Sequence, residues 1–80
     1  MKIGRIVVSL SGDTSWSMCG ESKSMIAQYD ALVEALKAPD GTGDKWFELT
    51  GFREHVDRGF DQMTIRLEDV RAVDIQVYND

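Results

Sequence analysis

The stretch Met25-Ile26-Ala27-Gln28-Tyr29-Asp30-Ala31-Leu32-Val33-Glu34-Ala35-Leu36 decides the fold class. Its apolar positions Met25, Ile26, Tyr29, Leu32, Val33 and Leu36 trace one stripe at the helical repeat of about 3.6 residues. Gln28, Asp30, Glu34 and Lys37 fall away from that stripe, so the run predicts one amphipathic helix with a single face to bury. Ser22 or Ser24 stands where a hydroxyl oxygen can accept from a free first-turn amide. Lys37 suits the negative end of the helix dipole, and Pro39 with Gly41 stops the helix.

A single helical face needs something to cover, and the flanking sequence supplies strands. Ahead of the helix, Ile6, Val8 and Leu10 alternate with Arg5, Val7 and Ser9, and the β-branched run Ile6-Val7-Val8 favours a pleated surface. Gly12-Asp13 ends this strand, and residues 11–24, rich in Ser, Gly, Asp and Thr, read as a long loop. After the helix, Asp40-Gly41-Thr42-Gly43-Asp44 is a turn by composition. Phe47 and Leu49 then alternate with Trp46, Glu48 and Thr50; Met63, Ile65 and Leu67 alternate with Gln62, Thr64 and Arg66. Glu68-Asp69 makes a tight turn or half-turn of helix, and Val73, Ile75 and Val77 form the last strand. The expected fold is α+β in the order β-α-β-β-β, one helix packed on a small, mostly antiparallel sheet. Whether the first strand lies at an edge or pairs with the last is left open by the pattern.

With 80 residues the chain is expected to make a single domain, 1–80, burying only about 60–65% of its unfolded surface. A hydrophobic fraction of 42% and a charged fraction of 29% are ordinary globular values. The formal net charge of −5, and the scatter of the nine Lys and Arg, argue against nucleic-acid binding, which depends on neutralising phosphates. An acidic surface suits solubility, or a basic protein partner. No stretch approaches the roughly 20 apolar residues of a membrane-crossing helix, and Ile6–Leu10 is too short for a signal-peptide core. A single cysteine, Cys19, gives no intramolecular disulfide, so a cytoplasmic protein without membrane partners is expected.

Sites for chemistry are sparse. One His and one Cys, with no Cys-x-x-Cys or His-x-x-x-His spacing, give no zinc set, and no metal or cofactor is expected. Asp40–Asp44 fails as a calcium loop, because the sixth and twelfth positions hold Lys45 and Gly51 rather than Gly and Glu. Gly20-Glu21-Ser22-Lys23-Ser24 lacks the glycines of a phosphate loop. Nucleophilic catalysis would have to join Cys19 or a serine to His55, the one imidazole in the sequence; Glu21 near Cys19 raises rather than lowers a thiol pKa, and the chain is read as non-enzymatic.

The aromatic residues carry more. Trp16 and Met18 in the serine-rich stretch, and Phe52 and Phe60 flanking a charged loop, are not needed by the core pattern. They are the interaction candidates, with Arg58 as a polar rim, since Trp and Phe are enriched at interfaces. The alternative for each is to cap the open ends of a small core. A single helix covers one sheet face, which leaves Arg5, Val7, Trp46, Glu48, Thr64, Arg66 and Tyr78 on the other; a homo-oligomer would cover it.

The layout of Ala31–Leu36, Lys45-Trp46-Phe47-Glu48-Leu49 and Met63–Val73 resembles small bacteriophage-encoded and actinobacterial proteins of uncharacterised function. The resemblance implies a phage or mobile-element accessory factor and carries over no catalytic residue. The expected function is therefore non-enzymatic protein binding as a homo-oligomer. The competing expectations are a small-molecule or nucleotide binder with a site between subunits near the helix N-terminus, and a small hydrolase using Cys19 or His55.

Overall fold

The β-branched run Ile6-Val7-Val8 lies in the middle of β1 (Lys2–Leu10), and β1 lies in the middle of its sheet. A computed structural model describes residues 2–38, 45–52 and 61–79. Among these, β1 pairs antiparallel on one side with β2 (Thr14–Glu21) and on the other with β5 (Val70–Asn79). A second antiparallel pair joins β3 (Trp46–Gly51) to β4 (Asp61–Arg66), and one helix, α1 (Ser22–Leu36), follows β2 directly. The architecture is α+β, and the first strand is central, paired with the last.

Residues 11–24 are not a long loop. Only Ser11-Gly12-Asp13 turns, with φ of 83° at Gly12 and 61° at Asp13, and the chain then returns as β2. The described order is therefore β-β-α-β-β-β, one strand more than the residue pattern suggests. Gly is a poor strand former and Ser marks turns more than strands, but strand preference is set mainly by neighbours, and β2 has the whole length of β1 to pair with. Glu21 occupies the N-cap position of α1 without a side-chain hydrogen bond, so neither Ser22 nor Ser24 caps the helix; Ser22 is buried instead.

Register explains how the helix seats itself. Gly4 of β1 lies opposite Gly20 of β2, and together they form a notch under Met25. A Cβ at Gly4 would stand 2.8 Å from the Met25 Cβ, and one at Gly20 would stand 2.8 Å from its sulfur. Two facing glycines thus let the first turns of α1 approach the sheet closely. One polar flank of the helix is used as well. Gln28 Nε2 donates to the Thr50 carbonyl at 3.0 Å, and the Thr50 amide donates to Gln28 Oε1 at 2.8 Å, which ties α1 to β3.

The core lies between three layers of side chains. Ile6, Val8 and Met18 rise from the three-stranded sheet, Met25 and Leu32 descend from α1, and Leu49, Met63, Ile65 and Leu67 close the remaining side. Among the described residues the two sheets are joined at one bridge, where the amides and carbonyls of Cys19 and Phe52 exchange two hydrogen bonds of 2.8 Å. After β4 a short 3-10 turn, Leu67–Asp69, leads back to β5, and the Ser11 amide donates to the Asp69 carbonyl at 2.9 Å. Among the described residues no helix is long and apolar enough to cross a membrane.

Candidate functional site

Helix α1 crosses the three-stranded sheet from the Gly4–Gly20 notch toward Val70 and Val73, so it leaves the tip of the β1–β2 hairpin uncovered. The β3–β4 pair leans toward that tip without pairing to it. Between them runs a groove of about 490 Å³, bordered by Leu10 and Trp16 on the hairpin side and by Gln62 to Arg66 along β4. Met63 and Ile65 reach its floor from the core, and Asp69 stands beside it.

Both tryptophans of the chain line this groove. Trp16 lies opposite Val8 in the β1–β2 register, yet it is 42% exposed because it sits beyond the reach of the helix. Trp46, opposite Arg66 in the β3–β4 register, is 61% exposed, the most open of the large apolar side chains described. The Arg66 guanidinium lies 5.8 Å from the centre of the Trp46 ring, within cation–π range, and its Nε is 3.2 Å from Glu68 Oε1. Each contact is solvent-exposed and adds little stability. Their consequence is geometric, since Arg66 is flanked by a ring on one side and a carboxylate on the other.

The backbone adds a second feature. Among the described residues β4 pairs only with β3, so its other edge, alongside the groove, carries no strand partner. On that edge the Gln62 amide donates to Asp61 Oδ1 at 2.8 Å; a strand edge beside apolar pockets is the element that receives an extended peptide.

The sequence candidates separate accordingly. Trp16 stands at the groove. Met18 does not belong to any surface: it is completely buried, opposite Ile6, because the period-two alternation of β2 turns it into the core. Phe52 is 38% exposed and anchored by its bridge to Cys19, away from the groove lining. Arg58, Phe60 and His55 lie outside the described residues. Cys19 is buried and forms no disulfide. Near the helix N-terminus Lys2, Glu21, Ser22 and Lys23 line a shallow depression of about 400 Å³. No group of three or more His, Cys, Asp or Glu converges to hold a metal among the described residues.

Leu10, Met63 and Asp69 were not identifiable as groove residues from sequence, because each fits a core or turn role on its own strand. The signal that was present is the alternation Trp16, Met18, Gly20 against Ser15, Ser17, Cys19, which marks β2 as a strand and puts Trp16 and Met18 on one face. No protein-family model, curated protein or solved structure matches the chain.

Proposed function

We propose that this protein is a non-enzymatic binding module, acting in the cytoplasm, that captures an extended segment of a partner protein in the Trp16–Trp46 groove. The observation that carries the reading is the coincidence of both exposed tryptophans with the edge of β4 that has no neighbouring strand among the described residues. An incoming strand would bond to the outward-facing backbone groups around Thr64 and place alternate apolar side chains over Met63, Ile65 and Leu10. Tryptophan gives large contact area at low entropic cost, which suits it to anchor such a segment. The net charge of −5 favours a segment carrying Lys or Arg outside its apolar positions, with Asp69 as a nearby acceptor.

The test is selection of binders from a displayed random-peptide library on the immobilised protein, followed by affinity measurement on Trp46→Ala and Trp16→Ala. The reading predicts enriched apolar-alternating, basic peptides whose affinity falls at least about tenfold in each variant, a loss of roughly 1.4 kcal/mol. Peptides that bind both variants as tightly as the native protein would refute it.

A further inference from the structure

The start of α1 is electrostatically unfavourable as it stands. A helix N-terminus is the positive end of the dipole, where acidic or capping side chains are stabilising. Here the Glu21 side chain makes no cap hydrogen bond, and the first turn holds no acidic residue. Ser24 Oγ is engaged along the helix, accepting from Gln28 Nε2 at 3.1 Å. Lys23 occupies the second helical position, and Lys2 stands at the same end, next to the Ile3 that pairs with Glu21. Two exposed cations thus share the positive end of a fifteen-residue helix, in a chain whose net charge is −5. A local choice that opposes its own fold is where a bound group is to be sought.

Ser22 adds an independent observation. It is only 8% exposed, and its Cα is seated over Gly4, where a Cβ would stand 3.3 Å from it. Among the described residues its hydroxyl has no hydrogen-bond partner, although a buried polar group is nearly always given one. Ser22 lines the depression of about 400 Å³ together with Lys2, Glu21 and Lys23, which gives that hydroxyl an opening toward a partner from outside.

We infer that this depression binds a phosphate group, as the free ion or as the monoester of a small molecule. The amides of Ser22, Lys23 and Ser24 precede the first acceptor within the helix and point out of its end. Three amides, one hydroxyl and two ammoniums are more donors than the roughly four acceptor sites of a carboxylate can use, and they suit the further oxygens of phosphate. Glu21 is the one carboxylate in the described lining; two ammoniums and a helix end worth about half a positive charge outweigh it. The depression lies at the opposite end of β1 from Leu10 and the Trp16–Trp46 groove, so this inference does not rest on the peptide-binding reading.

Inorganic phosphate titrated into the isotopically labelled, untagged chain tests it by amide NMR, with chloride holding the ionic strength constant. The inference predicts saturable shifts concentrated at Ser22, Lys23 and Ser24, with a Kd of about 1 mM or below. Binding should weaken at least about fivefold in Ser22→Ala and in Lys23→Gln. Circular dichroism confirms that the variants fold, and Lys2→Gln, at an exposed side chain, repeats the test should Ser22→Ala unfold. A nucleoside monophosphate run in parallel separates the two sources. Tighter binding than inorganic phosphate assigns the site to an esterified small molecule, and equal or weaker binding to the free ion. Shifts that rise without saturating, or that spread evenly over the lysines of the chain, overturn the inference. So does native affinity in folded Lys23→Gln and Lys2→Gln. Trp16→Ala should bind phosphate as the native chain does, which separates failure of this site from failure of the groove.

Discussion

The Gln28 carboxamide makes both backbone hydrogen bonds of Thr50, donating from Nε2 at 3.0 Å and accepting at Oε1 at 2.8 Å. It does from a helix what a neighbouring strand would do for β3, and it holds the β3–β4 pair at the height where β4 borders the groove. Gln28→Ala should therefore destabilise the fold by about 1–3 kcal/mol, since two partly buried backbone groups lose their partners. Gln28→Met, similar in length but without the amide, should not recover the loss. Urea unfolding followed by circular dichroism measures both, and a change within ~0.3 kcal/mol would show that water replaces the carboxamide without cost.

The glycine notch predicts an asymmetry between two otherwise similar substitutions. At Gly20 the added methyl meets the end of the Met25 side chain, which can swing away; at Gly4 it meets the Met25 Cβ and the Ser22 backbone. Gly4→Ala should lose about 2 kcal/mol or more and Gly20→Ala clearly less, read as denaturation midpoints. Equal losses would mean that the helix shifts as a body to accommodate either methyl.

Trp16 and Met18, neighbours on the same face of β2, should respond in opposite ways. Met18→Ala empties a closed part of the core and should destabilise by about 2–5 kcal/mol. Trp16→Ala, at an open groove, should change stability by less than about 1 kcal/mol and act on binding instead. A Trp16→Ala loss as large as that of Met18→Ala would make Trp16 a lid on the core.

How much of this was readable in the sequence follows from what each residue has to do locally. Helix α1 and strands β1, β3, β4 and β5 announce themselves through periodicity, because their apolar residues all serve one core. β2 was hidden because Ser15, Ser17 and Gly20 carry the composition of a loop, while the pairing that makes them a strand is supplied by β1. Once β2 is a strand, Met18 must turn inward with Ile6, which removes it from the interaction candidates. The groove itself could not be read, since it depends on how far α1 extends over the sheet and where the β3–β4 pair leans. Both are packing outcomes of the Gly4–Gly20 notch and the Gln28–Thr50 clasp.

Cys19 gives a test of the remaining chemistry. Held between β1 and the Phe52 bridge, its thiol should react with a soluble disulfide reagent far more slowly in the native chain than in urea-unfolded chain. Native reactivity approaching the unfolded rate would reopen a nucleophilic role for this residue.

The most direct measurement of the central claim is a backbone and indole NMR titration of the isotopically labelled protein with a library-selected peptide. The groove account predicts shifts concentrated at the Trp16 and Trp46 indoles, at Leu10 and along residues 61–66, with new exchange protection at amides on the outer edge of β4. Shifts centred on β5 or the exposed flank of α1, with both indoles unmoved, would contradict it.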